Sequence, residues 1–409
     1  MSRLLTRGHP AATAAVSAMI AGTPPHAILI AGPSGVGKTT LALDLAAGLL
    51  CTADEATDRP CRACRGCRLV ERGVHADLHR LAPAGAGNQI RIGDRREPEP
   101  GTIRRLVADL ALLPVEGGAR VAIVEGAERL NEDAQSALLK TLEEPPAGVV
   151  IVLCVEREDQ LLPTVRSRCV RLRLGPVAVR DVEAILADQA VADAPTAARL
   201  ARLAAGRPGV ARAWALAPEA VIARNEIART ILDLRDAGAA KRLATGRDLV
   251  ARAGDVIRSL AAGSRPPDAE EPAARRGRKR ATAAVATAAS ADAAPATSNG
   301  GEDEDADAAE EPESRTPAAE RRKAASLVIG IWRDVARDVA LVRLGEERRL
   351  RGPALLDDLR SAAAALAGAD VAAFLARLDD TAELLENNVS PELAIDALVL
   401  AWPAARDAA

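Results

Sequence analysis

The chain has 409 residues, enough for two or three domains with real cores, and its net charge of −3 argues against a general affinity for nucleic acid. Apolar residues make up 48%, yet there is one Phe, three Trp and no Tyr. The core must therefore be aliphatic, and a protein that binds single strands by stacking bases on aromatic rings is disfavoured.

The N-terminus "MSRLLTRGHPAATAAV" has neither the long apolar stretch nor the clean cleavage region of a signal peptide. The longest apolar runs are too short to span a membrane, so a cytosolic chain is expected. In that compartment six Cys favour metal binding or burial over disulfides.

Taken in chain order, "AILIA" (Ala27 to Ala31) reads as a short buried strand, and "TTLALDLAAGLL" after it as a helix. "TIRRLVADLALLP" sets Ile103, Leu106, Val107 and Leu110 on one helical stripe that Pro114 ends. "RVAIV" is a buried strand. Asn131 can cap the next helix, "EDAQSALLKTLEE", with Glu132 and Asp133 at its positive end and Pro145-Pro146 as its stop. "GVVIVLCV" is another buried strand and "VRLRL" an alternating one. Strands separated by helices imply a parallel α/β sheet. From about Val177 the pattern is helical, first a small bundle and then a longer region opening at "PEAVIARNEIARTILDLR". An insert from Gly263 to Ala319, rich in Ala, Pro, Ser and charge, cannot bury enough apolar surface to order itself and reads as a disordered linker. Between Gly263 and Glu320 there are 7 basic and 13 acidic residues, which leaves the rest of the chain slightly positive.

"GPSGVGKTT" fits the phosphate-binding loop pattern between a strand and a helix. Gly32, Pro33, Ser34, Gly35, Val36, Gly37, Lys38, Thr39 and Thr40 are the candidate nucleotide contacts. The glycines let backbone N–H groups wrap phosphate oxygens, Lys38 supplies a point charge, and Thr39 can bind Mg²⁺. ATP or ADP with Mg²⁺ is the cofactor such a loop can hold. The second strand ends on Glu125, which can bind Mg²⁺ through water, but Gly126 stands where a second acid would activate the attacking water. Loss of a general base costs about 10²–10⁴ in rate. Nucleotide binding with poor hydrolysis by the chain alone is therefore expected, with Glu128 or another acid in the base's role as the alternative.

Cys51, Cys61, Cys64 and Cys67 form C-x9-C-x2-C-x2-C directly after the loop's helix. Four soft ligands at that spacing predict a closed structural Zn²⁺ site with no open position for catalysis. Cys154 and Cys169 read as buried packing residues, and His75 and His79 as surface residues outside the cluster. In "LLPTVRSRC", Arg168 sits just before a strand; the residues alone favour a surface salt bridge over a contact with a neighbouring subunit's phosphate.

"HAILIAGPSGVGKTTLA", the cysteine series, "DAQSALLKTLEEPP", "LLPTVRSRC" and "ENNVSPELAIDALVL", in that order, resemble the bacterial clamp-loader subunits of DNA polymerase III, in the AAA+ superfamily. The resemblance covers nearly the whole chain except the insert and the stretch from Ala84 to Pro100. It implies an AAA+ α/β domain over 1–176 with a zinc module at about 51–67, a helical lid over 177–216, and an all-α collar over 217–262 and 320–409 interrupted by the 263–319 linker. It also implies that Arg168 is an arginine finger offered in trans, and that the partners are gamma/tau- and delta-type subunits in a hetero-pentamer, the sliding clamp and primer–template DNA. Glu125-Gly126, with Gly209 where the family's motor subunits carry a lid Arg, points to the delta-prime (stator) branch, although Arg207 or Arg212 stands close enough to substitute. The alternatives are an active gamma/tau-type ATPase and, further off, a stand-alone AAA+ remodelling protein.

Overall fold

Five short strands and the helices between them build the N-terminal half. In a computed structural model, residues 3–84, 88–116, 118–263, 318–386 and 389–404 are described. In chain order the elements are α1 (Pro10–Ala21), β1 (Ala27–Ala31), α2 (Lys38–Leu49), α3 (Arg65–Glu71), β2 (Leu78–Leu81), α4 (Ile103–Leu110), β3 (Arg120–Glu125), α5 (Glu132–Glu143), β4 (Val149–Val155), α6 (Pro163–Arg166) and β5 (Val170–Arg173). The sheet order is β2-β3-β4-β1-β5 and every pairing is parallel.

Alternation along each strand divides the core into two layers. Ile28, Ile30, Val121, Ile123, Val150 and Val152 face one layer with α1 and α2. Leu29, Ala31, Ala122, Val124, Ile151 and Leu153 face the other with α4 and α5. With both faces covered, the central strands are apolar throughout, as the sequence indicates. β5 pairs only with β1 and is mostly exposed, which suits its alternating Arg residues.

The α5 cap is as expected: Asn131 Oδ1 accepts from Ala134 N at 2.9 Å. Asn131→Ala should cost about 1 kcal/mol, a loss of about 2–4 °C in a domain of this size. Thermal melting by circular dichroism checks this, and an unchanged midpoint rejects the cap. α4 ends at Leu110, short of Pro114. The chain leaves the helix because buried Asp77 draws in the N–H groups of Val115 and Glu116 at 2.7 and 2.9 Å, leaving Leu112, Leu113 and Val115 exposed.

After β5 there is no further strand among the described residues. α7 (Val179–Asp188), α8 (Ala194–Leu203) and α9 (Pro208–Leu216) form a small bundle around Val182, Leu186, Leu200 and Trp214. α10 (Pro218–Asp233), α11 (Ala239–Gly263), α12 (Ala318–Arg343), α13 (Leu356–Ala365), α14 (Gly368–Glu386) and α15 (Pro391–Ala401) complete the chain. The predicted linker lies outside the described residues apart from its ends, since Gly263 closes α11 and Ala318 opens α12. Three of the four aromatic residues meet in this last region: Trp332, Phe374 and Trp402 have ring centroids 4.8 to 5.7 Å apart. Buried Arg242 closes α15 by donating to the Trp402 carbonyl at 2.6 Å.

Candidate functional site

The loop between β1 and α2 turns tightly. Gly35 and Gly37 have φ of +75° and +114°, a region that glycine enters without steric cost. Gly37 caps α2, so free N–H groups and the positive end of the helix dipole face the loop. Lys38 Nζ crosses back over the loop, donating to the carbonyls of Gly32 at 2.6 Å and Pro33 at 2.9 Å. A side chain at Gly32 would meet the Leu174 carbonyl oxygen at 2.2 Å, so β1 and the lid connection approach here on bare backbone.

Ser34 through Thr40 line a cavity of about 390 Å³. Its other walls include Leu5, Thr6 and Arg7 of the N-terminal segment, Glu125 at the end of β3, Glu128 and Glu156 beyond the strands, and Gly209 and Arg212 of the lid. Gly209 N donates to Gly35 O at 2.8 Å, and a Cβ there would lie 3.1 Å from that oxygen. The position read as a missing lid Arg is thus where α9 docks on the loop. Arg207 turns onto its own chain, donating to Ala204 O at 3.0 Å, whereas Arg212, one turn further along α9, lines the cavity.

At the end of β3, Glu125 is held from two sides. Thr39 Oγ1 donates to Oε2 at 3.1 Å, and Arg80 donates to Oε1 through Nε at 3.2 Å and Nη2 at 2.5 Å. Gly126 is left-handed (φ 61°) and turns the chain so that Glu128 re-enters the cavity wall. Burial raises the Glu128 carboxyl above its ordinary range, and the neighbouring charge of Glu156 pushes the same way. Its Oε2 accepts from Glu156 N at 3.3 Å.

The four cysteines converge: their sulfurs all lie within 4.8 Å of one another, with Cys51 and Cys64 at 3.9 Å. A tetrahedral ion with bonds of 2.3 Å needs sulfurs about 3.8 Å apart. Cys51 follows α2, and Cys64 caps α3, its sulfur accepting from Cys67 N at 3.3 Å. Burial raises the Cys64 thiol, but N–H donors from Cys67 and Thr52 outweigh it and bring it down to about 6. This donor set could hold a metal ion, and its four-thiol chemistry fits a soft one.

The cysteine module is also wired to the cavity. Asp44 of α2 is fully buried and accepts from Leu5 N at 2.9 Å, from Thr6 N at 2.8 Å and from the guanidinium of Arg62, which lies between Cys61 and Cys64. Sequence reasoning missed Asp44, Arg62 and Arg80. It also put His75 on the surface. His75 is buried, with Nδ1 accepting from Asp77 N at 3.1 Å, and it stays outside the cysteine group. Cys154 is buried as expected, burial pushing its thiol up to about 12, while Cys169 is half-buried. Arg168 stands on the surface, paired with Glu143 at 2.6 Å and donating to Thr164 O at 2.9 Å.

A parallel sheet in this order, a phosphate-binding loop after its first strand in sequence, an acid ending β3 and a helical lid on the loop define a P-loop module of the AAA+ class. Residues 9–178 match the family model described as DNA polymerase III, delta subunit. Over 146 residues the chain is 39% identical to DNA polymerase III subunit delta' of Pseudomonas aeruginosa, covering 36% of this chain and 42% of that one. It is 35% identical over 198 residues to subunit delta' of Escherichia coli, covering 48% and 57%, and 33% identical over 199 residues to that organism's subunit tau, covering 47% and 29%. The chain spans about half the length of the delta' relatives it matches. Its N-terminal region is thus similar to the clamp-loader subunits of DNA polymerase III. Among the described residues, no single helix is long and apolar enough to cross a membrane.

Proposed function

We propose that the chain is the delta-prime (stator) subunit of a DNA polymerase III clamp loader, assisting ATP-driven loading of the sliding clamp onto primed DNA in the cytoplasm. Its partners on this reading are gamma/tau- and delta-type subunits in a hetero-pentamer, the clamp, and primer–template DNA reached through the complex. The helices from α10 to α15 serve as the collar, α7 to α9 as the lid. The four cysteines hold a structural Zn²⁺. The P-loop binds ATP or ADP, and Arg168 serves the ATP site of an adjacent subunit.

One observation carries the stator reading: β3 ends at Glu125 and the next residue is Gly126, so the position directly after Glu125 carries no acid to activate water, while the phosphate-binding loop is intact. Purified chain should bind nucleotide without multiple turnover, and Lys38→Ala should abolish the binding. Sustained hydrolysis by the chain alone, lost in Lys38→Ala, rejects the stator assignment. A second reading, an active gamma/tau-type ATPase, is favoured by Glu128, which lines the cavity with a raised carboxyl suited to a base. In that case Glu128→Gln removes the turnover and leaves nucleotide affinity intact.

A further inference from the structure

We propose that His9 is a positioning residue for the nucleotide: it holds one peptide of the phosphate-binding loop with its N–H turned toward the phosphates. The inference rests on the reading of the loop as a nucleotide site and names what sets the loop's orientation.

His9 stands just before α1 and is 9% exposed. Its Nε2 lies 3.1 Å from the carbonyl oxygen of Val36, in the middle of the loop. A carbonyl oxygen can only accept, so Nε2 carries the proton and donates. The Val36–Gly37 peptide is trans, and a trans peptide points its N–H opposite to its C=O. His9 does not line the cavity, whereas Gly37 does. With the Val36 oxygen drawn back to His9, the Gly37 N–H is turned to the cavity side. That is the orientation an anion needs.

The glycines of the loop do not supply this hold. Gly35 and Gly37 flank Val36 at φ +75° and +114°, and glycine passes readily between conformations. The Val36 side chain is buried in the core, so the residue stays in place while the peptide after it could still rotate. That rotation would bring a carbonyl oxygen to the cavity and set a partial negative charge against the phosphates. A buried carbonyl without a donor is costly, so removal of the imidazole frees the peptide to turn.

His9 is itself fixed on both sides. Gly8 before it has φ +79° and packs so closely on Val177 that a side chain there would run into it. Pro10 after it opens α1, whose Ile20 packs on Gly48 of α2. α2 begins at Lys38, directly after the loop. The His9 side chain makes no capping bond to α1, which leaves the ring to tie the loop to the helix pair behind it.

The test is titration of the full-length chain with fluorescently labelled ADP, beside melting curves, for His9→Ala, His9→Asn and His9→Gln. A Gln amide nitrogen reaches about as far from the backbone as Nε2 and can donate to Val36, whereas that of Asn is one carbon too short. Alanine and asparagine should weaken ADP binding by about tenfold, and glutamine should stay within about threefold of wild type. Asparagine separates affinity from stability. At this position it can cap α1, so its melting midpoint should fall less than that of alanine although its affinity does not recover. An alanine chain that binds ADP as the wild type does overturns the proposal. A glutamine chain as weak as alanine, or an affinity that follows the melting midpoint across the three variants, also overturns it and reduces His9 to packing. No ADP binding by the wild-type chain overturns the nucleotide reading itself, and this inference with it.

Discussion

Arg168→Ala should leave assembly with partner subunits intact and cut hydrolysis at the adjacent ATP site by about 10³ or more, the effect of losing an arginine finger. The side chain stands on the surface beside β5, paired with Glu143, and the two are 34% and 48% exposed. An exposed pair of this kind is worth about 0–1 kcal/mol, so Arg168 can leave Glu143 for a phosphate at small cost. Glu143→Gln should accordingly keep turnover at or above wild type. Arg168→Lys should fail nearly as badly as alanine, because an ammonium lacks the planar fork that grips a phosphate from two sides. The measurement is ATP turnover of the reconstituted complex, stimulated by clamp and primed DNA, with gel filtration to confirm assembly. The loss in total rate will equal one site's share if sites fire independently, and will be nearly complete if loading needs every site. Unchanged stimulated turnover reduces Arg168 to a surface salt bridge, the role that its local chemistry alone suggests.

The parts of this site that the sequence discloses are those whose spacing is itself the chemistry. The loop glycines, Lys38 and Thr39 must follow a strand and open a helix, and their order along the chain states that. Two C-x2-C steps place thiols on one ion whatever fold surrounds them, and the four sulfurs do gather within 4.8 Å. The strands between helices are equally plain, because β1, β3 and β4 are covered on both faces and consist of Val, Ile, Leu and Ala with little else. What stays hidden depends on register and on burial of charge. β2 has only Leu78 and Leu81 to announce it, so the strand is invisible in a pattern search, and with it the pairing of Arg80 to Glu125. Asp44 looks like any charge on a helix, yet it is fully buried because two backbone N–H groups and a guanidinium from distant segments converge on it. His75 is drawn inside by a backbone donor two residues away. No periodicity encodes contacts of that kind. Gly209 misleads for a related reason: its lack of a side chain looks like a lost lid arginine but also serves close packing against Gly35.

With Zn²⁺ held by the four cysteines as proposed, Cys67→Ser should empty that site and lower the melting midpoint of the N-terminal domain by about 8–16 °C. The estimate takes an ion present at a thousand times its Kd, worth about 4.1 kcal/mol, and about 2–4 °C per kcal/mol for a domain of 150–250 residues. Serine matches the volume, so the loss is one of chemistry: an alcohol oxygen is a poor substitute for a buried thiolate toward a soft ion. Cys67 is fully buried. The damage should reach the nucleotide cavity. Arg62 sits in the module at φ 60°, a costly backbone conformation for a residue with a side chain. It is held there by its contacts with Asp44, Glu71 and the Arg3 carbonyl. When the module loosens, Arg62 is released. Asp44 is then left as a buried carboxylate without its cation, although it must still anchor Leu5 and Thr6 at the cavity wall. Nucleotide affinity should therefore fall together with metal content, and Asp44→Asn should weaken nucleotide binding while leaving the metal in place. Metal content measured by a chromophoric chelator, melting curves and nucleotide titration on the same preparations decide this. A Cys67→Ser chain that melts with the wild type removes the cluster from the fold's stability, and one that loses metal without losing nucleotide affinity breaks the link through Asp44.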